Sequence, residues 1–117
     1  MKTIVVLGAT GEQGTAIINT LLTHRTYRIR AVTRNLTSPK ALALSQQGIE
    51  VVPGDFDDKA SLISAFQDAS AIYAVTDFWA PFIGGLSASE AQALETRHGK
   101  NIVDAALEIP NLEHFIW

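Results

Sequence analysis

Apolar residues recur along this chain in two rhythms, and the rhythms take turns. Thr3–Leu7 is a short β-branched run, the pattern of a buried strand. Glu12–Thr23 follows, with Ile17, Ile18, Leu21 and Leu22 at the period of about 3.6 residues that marks one helix face. Tyr27–Thr33 returns to a strand pattern. Asn35–Pro39 reads as a turn, in which Thr37 or Ser38 caps a helix that opens on Pro39. That helix runs to about Gln47, and Gly48 ends it. Ile49–Val52 is a third strand, stopped by Pro53-Gly54-Asp55. Ser61–Gln67 is a short helix with Leu62, Ile63 and Phe66 inward. Ala71–Val75 is a fourth strand, apolar on both faces. A loop over Phe78–Gly85 leads to a long helix, Ser87–Glu108, whose clearest apolar face is Ile102, Val103, Ala106 and Leu107. Pro110-Asn111 breaks it before a fifth strand, Glu113–Trp117.

Strands separated by helices imply β-α-β crossovers and a parallel sheet. The glycines behind the first strand suggest a doubly wound α/β sheet of strand order 3-2-1-4-5, a Rossmann-type arrangement. No repeat, linker or low-complexity segment divides the chain, so residues 1–117 read as one domain.

Composition narrows the function classes. The chain has 117 residues, 47% of them hydrophobic and 18% charged, with a net charge of −3. No basic stripe points to nucleic acid. There is no cysteine, hence no disulfide framework, thiol nucleophile or thiolate metal site. His24, His98 and His114 are far apart and read as surface or packing residues, so no metal is expected. The apolar N-terminal run is too short and too interrupted for a signal peptide, and nothing approaches a membrane span. The cytoplasm is the default compartment, with the nucleus left open.

The candidate chemistry lies behind the strands. Gly8-Ala9-Thr10-Gly11-Glu12-Gln13-Gly14 joins the first strand to the first helix. Glycines at this turn let a backbone approach a pyrophosphate, and the helix start offers free N–H groups and a positive dipole end. The spacing G-x-x-G-x-x-G is a relative of the dinucleotide fingerprint. The second strand ends in Thr33-Arg34-Asn35 with no acid nearby. An acid there would hold a ribose hydroxyl, whereas an arginine suits a 2′-phosphate, so NADP(H) is preferred to NAD. Asp55 and Phe56 follow the third strand and suit an adenine, by accepting from its amino group and stacking on its ring. Asp57 and Asp58 read as caps of the next helix. Thr76, Asp77 and Phe78 continue the same rim. No catalytic group is identified. Tyr73 lies within a strand and, like Tyr27, has no lysine four residues on.

Taken in order, these segments resemble the NmrA-like family of atypical short-chain dehydrogenase/reductases. The resemblance rests on Ile4–Gly14, Arg30–Asn35, Gly54–Asp58, Ala74–Trp79, Gly99–Ala106 and His114–Trp117. It implies a Rossmann domain that binds NAD(P). Gly8, Thr10, Gly11, Gln13 and Gly14, with Glu12 between them, would line the pyrophosphate. Arg34 and Asn35 would face the adenosine phosphate, Asp55 and Phe56 the adenine, and Thr76, Asp77 and Phe78 the distal cofactor. Family members extend well beyond the fifth strand, into the active-site lysine and the substrate lobe. The chain therefore reads as a truncated product, a fragment or a minimal domain. The resemblance implies a dinucleotide-sensing regulatory module with little catalysis, acting through a protein partner. The alternative is an NADPH-dependent reductase, or the remnant of one, of the isoflavone-reductase type. An uncovered face on strands four and five is expected to favour self-association or partner binding.

Overall fold

In a computed structural model, residues 2–9, 11–74 and 84–116 are described, the side chain of Glu12 excepted. Among them lie five strands and four helices in strict alternation. The strands are β1 (Thr3–Val6), β2 (Arg28–Thr33), β3 (Glu50–Pro53), β4 (Ala71–Tyr73) and β5 (His114–Ile116). The helices are α1 (Glu12–His24), α2 (Pro39–Gln46), α3 (Lys59–Ala65) and α4 (Ala88–Leu107). All strand pairs are parallel, in the order β3-β2-β1-β4-β5. This is the Rossmann-type doubly wound sheet expected from the alternation.

The central strand shows why the order holds. Every residue of β1 is buried, and its side chains alternate between two cores. Ile4 and Val6 join Ile18 of α1, Ile29 and Ala31 of β2 and Leu44 of α2. Val5, with Leu7 just beyond the strand, joins Leu62 of α3, Phe66, and Ile102 and Ala105 of α4. A strand apolar on both sides is stable only with helices on both faces. The outermost strand, β5, is the opposite case, with Phe115 and Ile116 exposed.

Several boundaries and one helix face differ from the sequence expectation. β3 is shifted one residue, to Glu50–Pro53. Pro53 is tolerated there because β3 is an edge strand. The third helix starts at Lys59 rather than Ser61, because the Asp58 carboxylate accepts from the Ser61 N–H and caps it. Ser38 caps α2 by accepting from Ala41 N–H. Ser87 and Glu90 form a reciprocal capping box at the start of α4. The inward face of α4 is Ala91, Ile102, Ala105 and Ala106. Val103 and Leu107 point outward instead, Leu107 being 78% exposed. They sit one residue, roughly 100° of rotation, from Ile102 and Ala106, and the smaller alanines take the close approach to the sheet. Val75 and the expected Phe78–Gly85 loop up to residue 83 lie outside the described residues.

Candidate dinucleotide site

The C-terminal ends of the parallel strands face one edge of the sheet, and the described ones among the expected residues gather there. Behind β1 the chain turns at Gly8, whose φ is 61°. That is a left-handed conformation that glycine adopts without strain. The Gly11 N–H donates to the Gly8 carbonyl at 3.0 Å, closing the turn. Gly14, in the first turn of α1, is pressed against it. A Cβ there would collide with the Gly8 carbonyl oxygen and sit 2.8 Å from Ala9 Cα. Gly11 is the N-cap of α1, and among the described residues no side chain caps the helix. The first-turn N–H groups, which have no intrahelical acceptor, stand at the positive end of a 13-residue helix. Glu12 opens this helix, and Gln13 is exposed beside it. Thr10 lies outside the described residues.

Behind β2, Arg34 is exposed, with neither a hydrogen bond nor an ion pair among the described residues. Asn35 shapes the following turn. Its Oδ1 accepts from the Thr37 N–H at 3.0 Å and from Thr37 Oγ1 at 2.8 Å. That leaves its amide NH2 as a donor.

Behind β3, Gly54 is buried against Val32, with no room for a Cβ, so its glycine is explained by strand packing alone. Asp55 Oδ1 accepts from the Asp57 N–H at 2.9 Å, and Ser61 Oγ accepts from the Asp55 N–H at 2.9 Å. Asp55 Oδ2 has no partner among the described residues. Phe56 is half-buried. Its ring meets His98 edge-to-face, with centroids 5.5 Å apart. Its carbonyl accepts from Asn101 Nδ2 at 2.8 Å.

The two aspartates expected to cap α3 divide their work. Asp58 caps it; Asp57 does not. Asp57 Oδ1 instead accepts from Arg97 Nε at 3.0 Å and Nη2 at 2.7 Å, and lies 3.1 Å from His98 Nε2. The hydrogen bond from Arg97 holds the Asp57 carboxyl below the usual carboxylate range, with smaller help from the charges of His98 and Arg97 and opposition from desolvation. Sequence reasoning misses Arg97, His98 and Asn101 as residues of the site. Their spacing on one helix is a usable signal only once the strand order has brought α4 beside the β3–α3 turn.

Thr76, Asp77 and Phe78 lie outside the described residues. Tyr73, at the end of β4, is half-buried and lines a shallow groove with Gln13, Ala16, Ile17 and Thr20. No group of three His, Asp or Glu residues that could hold a metal occurs among the described residues. No helix among them is long and apolar enough to cross a membrane.

A doubly wound sheet with a glycine turn and, among the described residues, a first helix without a side-chain cap and an arginine without a partner along one edge defines a protein of the dinucleotide-binding class. The chain belongs to the NmrA-like family, whose profile matches residues 1–117. It is 34% identical to the NmrA-like family domain-containing oxidoreductase notA of Aspergillus sp., over 99% of this chain and 33% of that protein. It is also 34% identical to the NmrA-like family domain-containing oxidoreductase cpsB of Aspergillus campestris, with the same shares. The chain thus spans about a third of the length of these relatives. Among solved structures, the Citrobacter sp. triphenylmethane reductase complexed with NADP(H) matches with a TM-score of 0.78 at 29% identity, over 97% of this chain and 35% of that one. The NADPH-dependent quinone oxidoreductase of Escherichia coli, complexed with NADPH, matches with a TM-score of 0.67 at 29% identity, over 88% and 32%.

Proposed function

We propose that residues 1–117 are the NADP(H)-binding domain of an NmrA-like oxidoreductase. The observation that carries this reading is the convergence of unspent polar groups on one sheet edge: the α1 N–H groups, Arg34 and Asp55 Oδ2. The fit to a dinucleotide is specific at each point. The Gly8–Gly14 turn exposes backbone donors where a pyrophosphate's charge would lie. Arg34, with the Asn35 amide beside it, suits a dianionic 2′-phosphate, and a carboxylate there would repel it. Asp55 Oδ2 is an acceptor suited to an adenine amino group. When bound, NADPH supplies a hydride, and this chain's residues hold its adenosine and pyrophosphate portions. Thr76, Asp77 and Phe78 are proposed to line the distal portion. The oxidoreductase names of the relatives and the reductase names of the structural neighbours favour hydride transfer over the purely regulatory role implied by part of the family.

Calorimetric titration of the chain with NADPH and NADH, beside thermal melts, tests the reading. NADPH should bind more tightly and raise the melting temperature, since a ligand at about 100 times its Kd adds about 2.7 kcal/mol to the native state. Arg34→Glu should weaken NADPH about tenfold or more and leave NADH within about twofold. Equal affinities for the two cofactors in the parent chain would refute the assignment of Arg34. Steady oxidation of NADPH in the presence of a quinone or triphenylmethane dye would separate a reductase from a sensor.

A further inference from the structure

We infer that Asn101, with Arg97 and His98, positions the adenine-facing carboxylate of Asp55 from across the α3–α4 face. This rests on the NADP(H) reading above. The peptide that joins Phe56 to Asp57 is held at both ends. Its carbonyl accepts from Asn101 Nδ2 at 2.8 Å, and its N–H donates to Asp55 Oδ1 at 2.9 Å. A peptide is planar, so fixing the carbonyl fixes the direction of the N–H. That N–H in turn selects which oxygen of Asp55 is used within the turn. Oδ1 is taken, and Oδ2 is the acceptor left for a ligand.

The next residue carries a second tie of the same turn to the same helix. Arg97 donates twice to Asp57 Oδ1, and His98 Nε2 lies 3.1 Å from it. The His98 ring is also the neighbour of the Phe56 ring. Residues 97, 98 and 101 of α4 therefore grip two consecutive residues of the β3–α3 turn by carboxylate, carbonyl and ring.

Holding α4 to the sheet does not require this. Leu62, Phe66, Ile102 and Ala105 are fully buried between them and already make that contact. The Arg97 and Asp57 side chains are 60% and 45% exposed, and an ion pair so exposed contributes little to folding. Directional contacts placed one and two residues from the ligand-facing carboxylate, the more exposed of them adding little stability, are suited to fixing geometry. Asn101, Arg97 and His98 are positioning residues that touch no ligand and act through Asp55.

The test is a double-mutant cycle on the 117-residue chain, read with 2′,5′-ADP, which carries the adenosine half alone, and with NADPH and NADH. Asn101→Leu should weaken all three by the same factor, about fivefold for one hydrogen bond. The NADPH-to-NADH ratio should stay at the parent value, unlike Arg34→Glu, which collapses it. The ligand-free melting temperature should move by only a few degrees. In an Asp55→Asn background, Asn101→Leu should cost nothing further, because its effect runs through that carboxylate. Arg97→Met, at an exposed position, repeats the measurement with little risk to folding, and Arg97→Lys should recover part of the loss. Unchanged 2′,5′-ADP affinity in both Asn101→Leu and Arg97→Met would overturn the inference. So would a loss that is fully additive with Asp55→Asn. Failure of the parent chain to bind 2′,5′-ADP or NADPH would overturn the cofactor reading itself, and this inference with it.

Discussion

The two ends of the sheet use their polar groups in opposite ways. Towards the end where the strands start, Arg30 and Lys2 are bound within the chain. Arg30, whose side chain is 14% exposed, donates from Nε to Glu50 at 2.8 Å and from Nη1 to the carbonyls of Ala65 and Gln67. It thereby joins the edge strand β3 to the C-terminal end of α3, where helix carbonyls lack intrahelical partners. Lys2 pairs with Glu113, tying the N-terminus to the segment before β5. At the other end, and among the described residues, Arg34 stands four residues beyond Arg30 with no protein partner, α1 has no side-chain cap, and Asp55 keeps one oxygen unused. Arg30 within β2 and Arg34 at its exit thus have different tasks. One serves the fold; the other is available to an anion.

The comparison breaks most visibly at Gly14. Helix propensity alone favours Gly14→Ala by about 1 kcal/mol. The close packing of turn on helix opposes it, since the added Cβ would overlap a backbone oxygen that cannot rotate away. Overpacking costs about 1–3 kcal/mol and sometimes more, and a clash with backbone belongs at the upper end, so after the propensity gain a net destabilisation of up to about 2 kcal/mol and loss of NADPH binding are expected. Urea denaturation, with the midpoint and slope compared to the parent, checks it. A more stable Gly14→Ala variant would mean that the turn and helix are not packed this closely.

Arg30→Met tests the other end. It keeps an apolar stem in the partly buried position and removes three hydrogen bonds, leaving two carbonyls at the end of α3 without that donor. The charge-assisted bonds suggest a loss of about 2 kcal/mol. That would lower the melting temperature by about 8 °C or more in a domain of this size. The intrinsic affinity for NADPH, measured at a temperature where the variant is folded, should stay close to that of the parent. A change in affinity as large as that of Arg34→Glu would erase the division between the two ends.

What the sequence makes legible follows from the range of each interaction. The Gly8–Gly14 turn, the cap at Ser38 and the buried strand β1 depend on neighbours within a few residues, and their patterns are local. The strand order follows from general rules of handedness and connection. The Asp57 contacts cross the chain to residues about forty positions away, and no periodicity announces them. Asp57 and Asp58 look alike in sequence, since either can cap a helix. Only the placement of α4 gives one of them a guanidinium and leaves the cap to the other. Periodicity misassigns the face of α4 at Val103 and Leu107 for a related reason. Their apolar side chains weigh more in a periodicity than Ala105, although alanine is what fits against the sheet.

The smallest expected effect concerns acid. The folded-state pKa of Asp57 is depressed, chiefly by the hydrogen bond from Arg97. The unfolded chain then binds a proton more readily than the folded one, so the pair's contribution is fully present above the ordinary aspartate value of 3.8. It is lost as pH falls from there through the lower folded value. Because both side chains are well exposed, the effect is small and salt weakens it. Denaturation series of the parent and Asp57→Asn chains should differ slightly at neutral pH and converge in strong acid, with the gap narrowing in high salt. Arg30→Met should keep its deficit across the range from neutral pH to just above the carboxylate values, where Glu50 is still charged. A gap for Asp57→Asn that widens on acidification would show that Arg97 does not favour the charged carboxylate. The tie between α4 and the β3–α3 turn would then rest on the Asn101 hydrogen bond and the ring contact of His98 with Phe56.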